Sequence, residues 1–187
     1  MLDPQPTEQL AIEHDRENLR ATFMTDLKDE RAPSKRYHVL FLCDDNCASS
    51  IMAEAILRRW GADDFCAHSC GIKPAREIDP QVSEILLAQK IWRSDLASKN
   101  CAQFLAADAP PLDFVISLGE RPPNGMPVAW PPGAKLIHWR ITEPTVSSNS
   151  RQRADALRRA FLELENRIKL FVLVYQREAI KAAARAA

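Results

Sequence analysis

A short, almost wholly apolar run, His38-Val39-Leu40-Phe41-Leu42, ends at Cys43, and helix-period spacing takes over a few residues later. No other segment constrains the fold as tightly. An apolar run without polar alternation suits a central parallel strand, covered on both faces. Beyond it Met52, Ala53, Ile56, Leu57 and Trp60 recur at helical spacing, with Glu54, Arg58 and Arg59 assigned to the opposite side. Gly61 closes that helix. The loop between strand and helix, Cys43 to Ser49, therefore lies at a helix N-terminus, where backbone N–H groups lack partners and carry partial positive charge. Successive loop N–H groups can cradle an anion. A cysteine in that place is held as thiolate and attacks a bound oxyanion. The bland alternative for Cys43 is a buried cysteine at a strand end, and the residues alone leave both open.

The remaining pattern alternates strands with helices. Phe65 to Cys70 reads as a second strand, and Asp79-Pro80 as a helix start with Asp at the N-cap. Val82, Ile85 and Leu86 mark the buried face of that helix. A further helix is expected over Ser98 to Ala107, a third strand over Asp113 to Leu118, and a short fourth strand over Lys135 to Trp139. Leu157, Phe161, Leu164, Ile168, Phe171 and Tyr175 form one helical stripe, so a long helix runs from about Arg151 to Tyr175 or beyond. This order indicates an α/β domain of βαβ units with a mainly parallel sheet. In such sheets the ligand site lies beyond the C-terminal strand ends, where Cys43 stands. Residues 1–36 read as an extension and linker, and residues 37–187 as the α/β domain. Within the extension, Leu19, Phe23 and Leu27 put a thin apolar stripe on a charged stretch. That stretch either lies against the domain or frays, and a protein partner binding through residues 7–31 is the functional alternative.

Composition excludes several classes. The formal net charge is zero, which gives no global reason to expect nucleic acid or an anionic membrane as partner. The chain starts with no apolar signal segment, and Leu170 to Tyr175 is too short to span a bilayer. A cytoplasmic protein is expected. Five cysteines, an odd number without a secretion signal, argue against a disulfide scaffold. Cys66 and Cys70 fill strand positions, and Cys101 is a packing residue. No metal or cofactor is expected. Cys43, Asp44, Asp45 and Cys47 would make a cramped ligand set of mixed hardness. Trp60 and Trp139 fall on core-like positions; Trp92 and Trp130 lie near loops.

The run Val39-Leu40-Phe41-Leu42-Cys43-Asp44-Asp45-Asn46-Cys47-Ala48-Ser49-Ser50-Ile51-Met52-Ala53-Glu54-Ala55 resembles the signature of low-molecular-weight protein tyrosine phosphatases and the arsenate reductases that share their fold. The resemblance spans about Tyr37 to Tyr175. Ser69-Cys70-Gly71 with Pro74, the strand Asp113-Phe114-Val115-Ile116, and His138-Trp139 followed by Glu143-Pro144 continue it in order. It implies a three-layer fold with a four-stranded parallel sheet of order 2-1-3-4 and helices on both faces. It also implies a small oxyanion, phosphate or arsenate, or a phosphoprotein, as the bound partner. Cys43 takes the place of the nucleophile and Glu143 that of the general acid. Asp44, Asp45, Asn46, Cys47, Ala48, Ser49 and Ser50 take the anion-binding loop.

Four positions depart from that family's pattern. Ser49 stands where an arginine would grip two oxyanion oxygens and neutralise charge. Asp44 and Asp45 replace a small or neutral pair; they repel a dianion and disfavour the Cys43 thiolate. Asp45 also raises a steric question if its position needs glycine-like backbone freedom. Glu143 is one methylene longer than the family's aspartate. The resolving thiols of thioredoxin-coupled arsenate reduction are missing: Gly119 and Met126 occupy the corresponding stretch. Cysteine chemistry on phosphate or arsenate is therefore expected to be impaired. The alternatives are a non-catalytic descendant that makes protein contacts, and a thiol sensor that uses Cys43 and Cys47.

Overall fold

The computed structural model of the chain describes residues 36–127, 130–142 and 149–186, with side chains as far as 178. The described elements run β1 (Tyr37–Cys43), α1 (Ser49–Trp60), β2 (Phe65–Gly71), α2 (Pro80–Ala88), a 3-10 turn (Cys101–Phe104), β3 (Phe114–Gly119), β4 (Lys135–Arg140) and α3 (Ser150–Ala186). All four strands are parallel and lie in the order β2-β1-β3-β4. The register sets Leu42 between Cys70 on β2 and Ser117 on β3.

The apolar run of β1 is explained by that central place, since both its faces are covered. Val39 and Phe41 enter one core cluster with α1, α2 and α3; Leu40 and Leu42 enter the other, with Cys70, Val115, Cys101, Phe104 and Leu112. β4 is one of the two edge strands, and from Leu136 onward its residues alternate between exposed and half-buried.

The stripe on α3 packs as its spacing requires. Leu157, Leu164 and Ile168 are fully buried, and Phe171 and Tyr175 close a ring cluster with Phe65 and Phe114. The helix continues past Tyr175 to Ala186.

Three expectations shift. The helix expected over Ser98–Ala107 shrinks to one 3-10 turn, because Asn100 pairs with Gly71 in a β-bridge and caps Ala102 N–H at 2.8 Å. Glu54, assigned to the solvent side of α1, is fully buried; Arg58, Lys99 and Ser69 Oγ all reach its carboxylate. Trp60, read as core, is 40% exposed, with Nε1 donating to Glu165 at 3.2 Å and Lys169 Nζ over its ring at 4.2 Å. Both reversals have one cause. The first turns of α1 are enclosed on all sides, and its last turn runs out beside α3. Of the other tryptophans, Trp92 and Trp139 pack half-buried on the larger cluster and Trp130 on the smaller.

Among the described residues no helix is long and apolar enough to cross a membrane.

Two measurements test this packing. In urea unfolding of the full chain, Ile168→Ala should cost about 2–5 kcal/mol, while Val174→Ala at an exposed position of the same helix should stay within about 0.5 kcal/mol. His68 stacks on His38, and burial first, then the neighbouring charges, pull its pKa from 6.5 down to about 4. The folded state therefore resists a proton that the unfolded chain accepts. Its contribution is complete above pH 6.5 and is lost as pH falls toward 4. His68→Gln should flatten the decline in stability over that window by about 2 kcal/mol.

Candidate functional site

The turn from β1 into α1 begins at Cys43, as the sequence suggests. Cys43 ends the strand, Ala48 is the N-cap, and Ser49 opens the helix. The backbone can make this turn because Asn46 takes a left-handed conformation, φ +48°. Asparagine tolerates that region better than most residues. The position needing such freedom is thus Asn46; Asp45 is not among the positive-φ residues, and the steric question raised for it does not arise.

Asn46 is fully buried and its amide is used at both ends. Its Oδ1 accepts from Lys99 N–H at 2.7 Å, and its Nδ2 donates to Ser50 Oγ at 2.8 Å. Its backbone N–H points at Cys43 Sγ, 3.1 Å away. Ser50 Oγ, already an acceptor from Asn46, lies 2.9 Å from the same sulfur and has its own hydrogen to donate to it. Both groups can donate to that sulfur.

The rest of the loop is pinned from outside. Ile72 N–H donates to Cys43 O, Lys73 N–H to Asp44 O, Ala75 N–H to Asp45 O and Asp79 N–H to Cys47 O. Gly71 lets that segment approach: a Cβ there would stand 2.9 Å from Asn46 N and 3.0 Å from Asp44 O. Sequence reasoning did not single out Gly71 or Lys99 as members of the site. Gly71 could have been found from its place after a buried strand. Lys99 carries no local signal, being brought in from far along the chain.

Asp45 changes the chemistry. Its side chain turns back over the loop, so that Oδ1 accepts from Cys47 N–H at 3.2 Å and lies 3.8 Å from Cys43 Sγ. One of the loop amides available to an anion is therefore taken by a carboxylate of the loop itself. Asp44 is exposed, Ala48 and Ser49 are buried, and Ser49 brings no charge. Two cations of the neighbourhood are committed elsewhere. Lys99 Nζ lies 3.0 Å from Glu54, and Arg153 grips Asp79 Oδ2 at 2.5 Å.

The thiols respond to this setting. Burial pushes Cys43 up to about 11; the Ser50 hydroxyl and the Asn46 amide pull it down, and the Asp45 charge pushes it up. Burial also pushes Cys47 up to about 12, helped by its hydrogen bond to Asp45 and by that charge. Both are protonated at neutral pH. His138 lies on β4, 3.0 Å from Ser117 Oγ. Glu143, the candidate general acid, and residues 7–31 lie outside the described residues. Among the described residues no group of three or more His, Cys, Asp or Glu is placed to hold a metal ion.

Residues 38–183 match the family profile of the low molecular weight phosphotyrosine protein phosphatases. Among solved structures, arsenate reductase from Archaeoglobus fulgidus shares 25% identity at a TM-score of 0.54, covering 72% of this chain and 98% of that one. The thioredoxin-dependent arsenate reductase of Corynebacterium glutamicum shares 23% identity at a TM-score of 0.59, covering 80% and 67%. A YwlE mutant from Bacillus subtilis shares 16% identity at a TM-score of 0.56, covering 75% and 99%. No curated protein sequence matches the chain.

The Cys43 environment predicts a pH profile. Alkylation of Cys43, followed by peptide mass spectrometry to separate it from Cys47, should be slow at neutral pH and rise toward pH 11. Asp45→Asn should move the rise to lower pH, and Ser50→Ala to higher pH. Stability follows with the sign set by the raised value. The folded chain keeps a proton that the unfolded chain releases near 9.0, so this contribution is whole below pH 9.0 and is lost as pH climbs toward 11.

Proposed function

Because the chain belongs to the low molecular weight phosphotyrosine protein phosphatase family, we propose that it presents the family's cysteine loop in a self-occupied form, with nucleophilic chemistry on phosphate or arsenate impaired. The observation that carries this reading is the Asp45 carboxylate, which takes Cys47 N–H and lies 3.8 Å from Cys43 Sγ. A phosphate oxygen above the nucleophile would need that donor. Asp45 repels a dianion as well, and Ser49 supplies no countercharge. Removing one uncharged oxyanion donor typically costs on the order of 100- to 1000-fold in rate, so loss of a bidentate cation costs at least as much.

The thiol supports the same reading. A family nucleophile must be a thiolate, and Cys43 is held protonated up to about pH 11. Cys47, pushed to about 12, is equally poor as a resolving thiol or half of a sensor pair at neutral pH. Glu143 keeps the role of general acid that the resemblance assigns to it. A non-catalytic descendant that retains the fold for protein contacts is the end point of this reading, and residues 7–31 remain the segment proposed for such contacts.

The test pairs activity with binding. Native protein is assayed with p-nitrophenyl phosphate, and with arsenate plus thioredoxin or glutathione; phosphate binding is followed by calorimetry. The native chain should show little turnover and no saturable phosphate binding. Ser49→Arg combined with Asp44→Asn and Asp45→Ala should gain phosphate affinity by at least about tenfold. Native turnover that disappears in Cys43→Ser would overturn the reading.

A further inference from the structure

The outer face of α3 is unusual for a surface that borders only solvent. Asp155, Arg159, Leu162, Asn166, Leu170, Leu173 and Arg177 are all exposed and follow one another at steps of three and four. Leu162, Leu170 and Leu173 are 57%, 62% and 52% exposed. Such spacing keeps one seam on one side of a helix. The stripe that binds α3 to its own domain, centred on Leu157, Leu164 and Ile168, lies on the opposite side.

About Asn166 the seam pairs one leucine with another and, at its ends, opposite charges, with Arg159 against Leu173 between them. Counting outward from it, Leu162 is matched by Leu170, Arg159 by Leu173 and Asp155 by Arg177. We infer that α3 pairs with α3 of a second copy in an antiparallel two-fold arrangement centred on Asn166. A two-fold axis at Asn166 sets each copy's Leu162 against Leu170 of the other. It brings the two Asn166 amides together and joins each Asp155 to the opposite Arg177. In an isologous contact each residue meets its counterpart's partner, so self-complementarity of this kind is the sequence requirement.

The flanks agree. Glu163 and Arg167 form an ion pair at 2.9 Å on one side of the seam, and Glu165 and Lys169 one at 3.3 Å on the other. In the antiparallel register each flank faces the same flank of the second copy, displaced so that Glu163 approaches Arg167 and Glu165 approaches Lys169. A parallel pairing would instead stack Asp155 on Asp155 and Arg177 on Arg177. A central Asn layer selects register at some cost in affinity.

Sedimentation equilibrium of the full chain tests this. A reversible dimer should form at concentrations up to about 100 µM. Leu162→Glu with Leu170→Glu should weaken it by at least about tenfold, with helix content unchanged and melting unchanged at dilutions where the parent chain is monomeric. Asp155→Arg and Arg177→Asp should each weaken it, and the two together should restore it. Under mild oxidation Asn166→Cys should cross-link copies beyond the background of the parent chain. Arg177→Cys should not, since the two copies of that position lie about 33 Å apart along the helix axis. A chain monomeric throughout that range, cross-linking through Arg177→Cys, or a folded double charge swap that fails to restore the dimer each overturns the inference.

Discussion

Asn46 carries the site. Its left-handed backbone turns the chain from β1 toward α1 and aims its N–H at the Cys43 sulfur. Its side chain cannot rotate away, because Lys99 N–H and Ser50 Oγ hold the two ends of the amide. A buried amide satisfied at both ends is costly to disturb, since any rotation strands a donor or an acceptor away from water. Lys99 is held in turn. Its ammonium is committed to Glu54, which is fully buried and also bound by Arg58 and Ser69 Oγ. A chain of polar contacts thus runs from the centre of α1 through the segment before the 3-10 turn to the cysteine.

Asp45 and Ser49 set the charge of the loop and leave its shape alone. Asp45 makes its contacts without distorting the backbone, and Ser49 starts α1 where the helix must start anyway. The sulfur is surrounded by the donors that suit a thiolate, yet burial and a nearby carboxylate keep it protonated. Architecture and electrostatics have separated here.

Much of the fold could be read from periodicity. β1 shows as an apolar run because it is the central strand, and α3 because its core stripe keeps helical spacing over many turns. The strand order came from the family resemblance and is the order observed. The failures lie where tertiary contacts overrule local pattern. Glu54 looks like a surface charge until Lys99 and Ser69 arrive from elsewhere. Trp60 looks like core until α1 ends beside the charged flank of α3. The Ser98–Ala107 segment has helical composition, but its first residues are drawn straight by the bridge to Gly71 and the bond to Asn46. In the loop, the motif names Cys43, Asn46 and Ser50, and these three lie within hydrogen-bond reach of one another. Gly71 and Lys99 were not legible as members of the site, because they act through one backbone approach and one amide.

The anchoring of the loop by its own carbonyls has a genetic corollary. Cys43, Asp44, Asp45 and Cys47 are each fastened through main-chain oxygen to the segment spanning Ile72 to Asp79. None of those bonds depends on which side chain the residue bears. Replacements at the exposed positions 44 and 45 therefore keep these anchoring bonds while they change the charge of the loop. The electrostatics of the loop can thus vary along a lineage while every intermediate sequence still folds.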